Sequence, residues 1–505
     1  MGKKYQGIGK NITKNMISII KICYNVKKQL FTSLQKMFKQ IGKYTLLLTF
    51  IIILGEILRL ARINETMEFI SDQGWFYLSA KNIILNGQIP LVGIPSSHPW
   101  LHQGAFWTYI LAATFAISNF NPIAPAYMTA ALDAITIALL YKTGKIMFGA
   151  RYGLIAAVLY ATSPLVIYNI RAPYHTSLIP LFTIILIFFL YKWVSENKLF
   201  FPAVIGTLAI LYNLEIATFV FAILVLSLII FGIWKKQKWA NGIFNKKIIL
   251  YSTIAFVIPM FPMLLYDLQN GFPQTLKFIA WAGYKILVIF GYPPINPIEG
   301  AAHTDILAFS IDKYRQLIFA HSEIIATIIA TLSFAFLTLK LIKKKTATTF
   351  IWIVNIIPLV IFLCFKTPSN AYLPMLYPGL ILLTASFIGE MLIHQRLKIL
   401  VYGIIVCGII LNIHHLVTNN FYPKIKPDQF TQRLMTTKRI ISESEGKEYN
   451  LVGKSTSHTY PSITKNYEYL AWWFGHEPSK RKTEIQLILN EDSGYAIITK
   501  SKTKK

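Results

Sequence analysis

Acidic residues and cysteines are scarce in this chain, with 22 Asp and Glu and three Cys among 505 residues. Charged residues of both signs reach only 14%, where a soluble domain carries about a quarter. That shortage excludes an ordinary soluble enzyme. Cys23 lies in a basic segment, and Cys364 and Cys407 lie in apolar runs. No pair has metal-site spacing or forms a disulfide framework. No repeat of fixed period is present, nor two halves with matching interrupted helices of the kind that mark alternating-access transporters. What the chain does have is 54% hydrophobic residues and a formal net charge of +28. A disordered or nucleic-acid-binding chain of that basicity would be poor in Leu, Ile and Phe, so no nucleic-acid partner is expected. The composition describes a protein whose main solvent is lipid.

A helix needs roughly 20 mostly apolar residues to cross about 30 Å of hydrocarbon. The sequence predicts such spans at 44–61, 124–141, 152–169, 176–194, 199–214, 216–234, 248–266, 323–342, 349–365, 371–393 and 397–416. The expected fold class is therefore an all-α polytopic membrane protein with about 11 transmembrane helices. Two shorter apolar stretches, 104–118 and 276–291, are read as interfacial or re-entrant.

Charge placement supports that reading. Residues 1–43 hold ten Lys and no acid, so the positive-inside rule sets the N-terminus in the cytoplasm. Loops 142–151, 235–247 and 343–345, all basic, then fall on the same side, provided 104–118 does not cross. The loops 62–123 and 267–322 fall outside and are close to neutral. In 1–43, Ile17, Ile20, Leu30, Phe31 and Leu34 interleave with Lys, a pattern suited to a surface-lying helix on anionic membrane lipids. A solvated basic tail is the alternative. The three expected domains are 1–43, the transmembrane domain 44–417, and a small extracytoplasmic α/β domain 418–505. The last is read from strand-like runs Tyr449–Val452 and Tyr495–Thr499 around a helix at Tyr467–Phe474.

The loop 62–123 is long and patterned, and long loops in compact proteins tend to be functional. It reads Ser71-Asp-Gln-Gly-Trp-Phe-Tyr-Leu-Ser-Ala80, Asn86-Gly87, Pro90, then His98-Pro-Trp-Leu-His-Gln-Gly104. Asp72 is a single carboxylate among aromatics, suited to general-base work. Its bland alternative is to cap a helix beginning near Trp75, with Ser71 as competitor.

The order of one Asp, an aromatic helix, Asn-Gly, Pro and His-Pro before an apolar stretch resembles the C-type, polyprenyl-phosphate-dependent glycosyltransferases. The similarity is to the protein O-mannosyltransferases and the transferases that place aminoarabinose on lipid A. It continues through Ala131–Tyr141, Lys145-Ile-Met-Phe-Gly149, Ala161–Pro164, Arg171, Pro262–Asp267 with Gly271-Phe272, and Lys366 with Tyr372-Leu-Pro-Met-Leu-Tyr-Pro378. The resemblance implies a sugar donor carried on polyprenyl phosphate and inversion at the anomeric carbon. It implies Asp72 as catalytic carboxylate, with Lys366 and Tyr372 on the leaving phosphate. Arg171, at the end of its span, is a further candidate for that anion. His98, His102, His175, Glu215 and Asp267 are candidates for substrate binding on the same face. Span-end Lys and Arg also snorkel, and Tyr populates interfacial belts, without any catalytic role.

The chain departs from the family at Gln73, where many members have Glu, and at Arg171-Ala-Pro-Tyr-His175, where many have a second acid. Both departures weaken a carboxylate pair for a divalent cation. No cofactor is therefore expected to be required, and no metal site, although His98 and His102 have the i, i+4 spacing a metal uses on a helix. Within the spans, Glu56 and Arg59 are one turn apart and expected to pair. Asp133 is expected to pair with Lys142 or to lie in a polar seam, and Glu323 starts a span. The expected activity is sugar transfer to a protein, glycolipid or polysaccharide acceptor at the outer face of the cell membrane. A lipid or polysaccharide transporter and a surface-polysaccharide ligase or polymerase are the alternatives.

Overall fold

The structure, a computed structural model, describes residues 42–96, 98, 100–292, 306–341, 346–365, 369–418, 422, 425–454, 462–490 and 497–502. The basic segment up to residue 41, the triplet Lys343–Lys345 and Lys366 lie outside the described residues. The chain divides into Met1–Ile51 and Ile52–Lys505. The described part of the first is the opening of helix α1 (Lys43–Leu60); the remainder of the description concerns the second.

The second unit is a helical bundle with a small sheet. In chain order come α2 (Ser71–Asn86), α3 (Phe106–Ser118), α4 (Ala124–Met147), α5 (Ala150–Ala161), α6 (Pro164–Arg171), α7 (Ile179–Ser195), α8 (Phe201–Leu214), α9 (Val220–Trp234) and α10 (Lys246–Asn270). They are followed by α11 (Pro273–Ile289), α12 (Ile306–Ile318), α13 (Glu323–Leu341), α14 (Thr346–Phe365), α15 (Tyr377–Met391) and α16 (Gln395–Thr418). By length and composition, seven described helices can cross a membrane, or eight if the bent pair α5–α6 is one span. The chain is thus a multi-pass membrane protein. On α10, Ile249, Leu250, Ile254, Ile258 and Phe261 are exposed, as are Ile324, Ile328 and Leu332 on α13 and Ile399, Val406 and Ile410 on α16. Apolar faces of that extent require lipid or a partner against them.

Three expected spans are shorter or more polar than that test admits. Helix α1 carries Lys43, Glu56 and Arg59, and α8 and α15 are 14 and 15 residues long. Helix α3, expected not to cross, has 13 residues, about 20 Å of helix against about 30 Å of hydrocarbon. The expected span 152–169 is corrected in one respect: it is broken, with α5 and α6 meeting at 57°. Pro164 at the first turn of α6 has no N–H to continue α5, and Ser163 Oγ accepts from Val166 N at 3.4 Å to start the new helix.

Inside the bundle, Arg59, Asp133 and Tyr160 form one buried polar cluster. Arg59 Nε donates to Asp133 Oδ2 at 2.5 Å, and its Nη1 donates to Gly55 O and Ala161 O at 2.9 and 3.0 Å. Tyr160 Oη donates to Asp133 Oδ1 at 2.6 Å. The expected Glu56–Arg59 pair is therefore replaced by Arg59–Asp133, and Asp133 lies in a seam between α1, α4 and α5 rather than reaching Lys142. Asp133 meets the Arg59 Nε from the facing helix α4, a position within reach only once the helices pack.

The two ends of the bundle differ. At one, Tyr152 Oη and Lys340 Nζ both donate to Glu390, at 3.2 and 2.5 Å, and Trp193 Nε1 donates to Trp239 O at 3.2 Å. At the other, loops interlock through their backbones. Glu68 N donates to Arg171 O at 3.3 Å, Phe69 N to Asp428 O at 2.8 Å, and Gly104 N to Asn213 O at 3.2 Å. The loop contact at Gly104 is so close that a Cβ there would meet Asn213 Oδ1 at 1.9 Å.

The C-terminal segment sits at this second end. It contains α17 (Phe430–Glu443), β1 (Tyr449–Lys454), α18 (Lys465–Trp473), β2 (Ile485–Asn490) and β3 (Ile497–Lys502). Strand β2 is central, parallel to β1 and antiparallel to β3. A parallel pair needs a crossover, and α18 supplies it. Ile485, Leu487 and Leu489 alternate inward along β2 and pack with Tyr449, Tyr467 and Ile440.

Candidate active site

Asp72 lies in the first turn of α2. The helix starts at Ser71, four residues before the expected Trp75, because Gln73 Oε1 accepts the Ile70 N–H at 2.6 Å and closes the first turn. Gln73, the residue that departs from the family pattern, is thus the capping side chain, and the Asp72 carboxylate is released from that task. Gln73 Nε2 also donates to Pro173 O at 3.2 Å, which ties the start of α2 to the loop carrying Tyr174.

Both oxygens of Asp72 accept a hydroxyl. Tyr174 Oη donates to Oδ2 at 3.1 Å, and Ser462 Oγ donates to Oδ1 at 2.6 Å. Burial, with the neighbouring Asp72, pushes the Tyr174 phenol well above its ordinary range, so it acts as a neutral donor. The ring of Tyr174 lies 4.0 Å from that of His175, and Phe76 packs on both at 5.7 Å. His175 Nε2 is 3.4 Å from Glu215 Oε2, which also accepts from Gln103 Nε2 at 3.0 Å. Glu215 Oε1 accepts from Ala217 N at 3.2 Å. His175, Glu215 and Gln103 are all buried, and His175 Nδ1 is buried without a hydrogen-bond partner. Asp72, Tyr174, His175, Glu215 and Gln103 thus form one continuous cluster.

The remaining sequence candidates are placed differently. His102 Nδ1 meets Gly93 O at 3.1 Å and its backbone N donates to Gln274 Oε1 at 3.1 Å. His98 is buried, with its ring near Trp100 and Tyr284. The two histidines stand in a loop closed by a Pro95–His102 bridge, so their i, i+4 spacing is not that of a helix face. Asp267 accepts from Gln274 N, Thr275 N and Thr275 Oγ1 at 2.7, 3.0 and 2.6 Å, which makes it the cap of α11. Arg171 donates to Arg59 O and Ala61 O at 2.5 and 2.8 Å and to Thr66 Oγ1, and it stacks over Tyr422. Its guanidinium thus binds the carbonyls at the end of α1 and the Thr66 hydroxyl of the loop that follows. Tyr372 lines an apolar groove of about 130 Å³ with Trp281, Lys285 and Phe362. Lys366 lies outside the described residues. Among the described residues, no group of three or more His, Cys, Asp and Glu is placed to hold a metal ion.

Beside the cluster is a cavity of about 430 Å³ whose walls include Gln73, Tyr174, Thr176, Asn169, Lys313 and Asn370. Leu165, Lys313 and Tyr377 are shared with a narrow apolar space, which in turn shares Ser310, Tyr314 and Leu380 with a cavity of about 510 Å³ along α12 and α13. A cavity of mixed polar and apolar lining therefore adjoins an apolar one. Tyr174, Gln103, Lys313 and Ser462 were not singled out from the sequence. Tyr174 stood within the quoted motif at Arg171–His175; Ser462 is 390 residues from Asp72 and carries no local signal.

Residues 98–266, well under half of the chain, match the family model described as dolichyl-phosphate-mannose-protein mannosyltransferase. The fold is similar to that of the Archaeoglobus fulgidus oligosaccharyltransferase, at a TM-score of 0.56 and 11% identity over 85% of this chain and 64% of that one. The same archaeal enzyme, AglB, in complex with an inhibitory peptide and a dolichol-phosphate gives 0.53 and 13% over 86% and 64%. ArnT from Cupriavidus metallidurans bound to undecaprenyl phosphate gives 0.52 and 10% over 88% and 93%. The chain spans under two thirds of the archaeal enzyme's length. No curated protein matches the sequence. The resemblance to C-type glycosyltransferases drawn from the motifs is met by the family model over 98–266 and by the fold over most of the chain.

Proposed function

We propose that this protein is a membrane glycosyltransferase that moves a sugar from a polyprenyl-phosphate donor to an acceptor at the extracytoplasmic face, with Asp72 as general base. The observation that carries the reading is a single carboxylate held by two neutral hydroxyls, one of them from Tyr174 in the wall of a mixed polar and apolar cavity that adjoins an apolar one. Two solved structures with similar folds hold dolichol-phosphate and undecaprenyl phosphate, which supports a lipid phosphate as donor carrier here.

In this mechanism the acceptor hydroxyl gives its proton to Asp72 as its oxygen bonds to the anomeric carbon. The bond from that carbon to the phosphate oxygen breaks, and polyprenyl phosphate leaves. One displacement inverts the anomeric centre and needs no enzymic nucleophile. A positioned base contributes roughly 10²–10⁴-fold. Lys366 and Tyr372 are assigned to the leaving phosphate, where cationic and phenolic donors stabilise growing charge. His175 and Glu215, with His98 and His102 on the adjoining loop, are assigned to substrate hydroxyls. Arg171 and Asp267 are assigned to building the walls, since their polar atoms are already engaged within the protein. The reaction as written needs no metal or organic cofactor.

The test uses purified full-length protein, undecaprenyl-phosphate hexose carrying a labelled sugar, and solubilised membrane extract as acceptor source. The label is expected to pass from the lipid to protein, glycolipid or polysaccharide, and its new host identifies the acceptor. Label that crosses a vesicle bilayer while still attached to polyprenyl phosphate would instead mark a transporter.

A further inference from the structure

We infer that Ser462, in the C-terminal segment, is a positioning residue for Asp72, so that the site is complete only when the C-terminal segment is seated on α2. The inference rests on Asp72 being the base. Ser462 Oγ donates to Asp72 Oδ1 at 2.6 Å while Tyr174 Oη holds Oδ2 at 3.1 Å. A carboxylate turns easily about its last bond, and a donor on each oxygen fixes the direction in which its free lone pairs point. Reaction rates are sensitive to such placement at the scale of an ångström.

The contact is not an isolated one. Ser71 Oγ, one residue before Asp72, donates to Ile463 O at 3.4 Å, one residue after Ser462. Asn466, fully buried, donates from Nδ2 to Phe69 O at 3.2 Å. Gly74 allows the closest approach: a Cβ at that position would lie 2.1 Å from Asn466 N and 2.3 Å from its Cα. Further along α2, Tyr77 packs edge-on against Tyr469 at 5.1 Å, and Lys81 pairs with Glu477 at 3.0 Å. Gly74, Tyr77 and Lys81 recur at helical spacing, so one face of α2 is covered by α18 and the segments flanking it. The face is built from small and aromatic residues that fit this neighbour, and it delivers Ser462 to the first turn. Two segments nearly 400 residues apart in sequence are thereby made into one site.

The test measures kcat and donor KM of the full chain with undecaprenyl-phosphate hexose and solubilised membrane extract. Ser462→Ala is expected to lower kcat by about ten- to a hundredfold, with donor KM and thermal unfolding unchanged. Ser462→Thr, which keeps a hydroxyl, is expected to recover most of the rate. Wild-type kcat in Ser462→Ala, alongside an inactive Asp72→Asn, would overturn the positioning role and leave the base in place. Equal losses in Ser462→Ala and Ser462→Thr would also overturn it, because the hydroxyl would not be what matters. An Asp72→Asn variant as active as wild type would remove the base reading itself.

Discussion

Asp133 and Asp72 are both single carboxylates set among aromatic rings, and the protein holds them in opposite ways. Asp133 is 2% exposed and meets a guanidinium and a phenol. Asp72 is half-buried and meets a phenol and a serine hydroxyl, with no cation among its described partners. A carboxylate neutralised by Arg deep in a bundle is spent on structure, since leaving either partner alone would strand a charge in a low-dielectric medium. A carboxylate fixed in direction by neutral donors and only partly buried keeps its capacity to take a proton. The same residue type is a rivet in one place and, under the proposed function, the base in the other.

The largest expected effect comes from breaking the first arrangement. Arg59→Met leaves Asp133 buried and uncompensated, which costs about 3–5 kcal/mol; unfolding of purified protein in detergent measures it. Replacing both partners, Arg59→Met with Asp133→Leu, is expected to recover most of that loss, which would sharpen the view of Asp133 as purely structural. Next in size, Gly74→Ala forces a Cβ onto the Asn466 backbone and is expected to cost about 1–3 kcal/mol. Faster proteolysis of the C-terminal segment would report its release from α2, and transfer activity would fall with it.

A third carboxylate extends the contrast. Burial raises the Glu68 carboxyl above its ordinary value of 4.5, with Tyr168 opposing part of the effect. A raised folded-state value means the folded protein holds that proton more tightly than the unfolded chain does. Stability is therefore expected to fall as pH rises from about 4.5 through the folded value, and Glu68→Gln is expected to flatten that part of the pH–stability curve. The smallest effect is expected at Arg439→Ala: it pairs with Glu443 one helical turn away and both side chains are exposed, and such pairs contribute about 0–1 kcal/mol, read from the unfolding midpoint.

Much of the bundle was legible in the sequence because apolar runs of membrane length are written locally. The break at Ser163-Pro164 was not read, because the run on either side stays apolar and only the capping geometry interrupts it. Arg59's partner was misread for the opposite reason: Glu56 is a neighbour in sequence, while Asp133 is 74 residues away and adjacent only once the bundle forms. Strands β1 and β3 were anticipated from short β-branched and aromatic runs. Strand β2, Ile485–Asn490, became recognisable only with its partners on both sides. In the site, Asp72 stood out as the one acid of the aromatic stretch Ser71–Ala80. Asp267 stands seven and eight residues before Gln274 and Thr275, so its capping contacts appear only once the turn at Gly271-Phe272 brings them together. Ser462 had no signal, since a lone serine becomes informative only through what it touches.

The most direct test of the central claim is the rate of hexose transfer from undecaprenyl-phosphate hexose by Asp72→Asn, with the unfolding midpoint recorded on the same preparation. A loss of about 10²–10⁴-fold in transfer with an unchanged midpoint is expected. Transfer at the wild-type rate by a folded Asp72→Asn protein would contradict it.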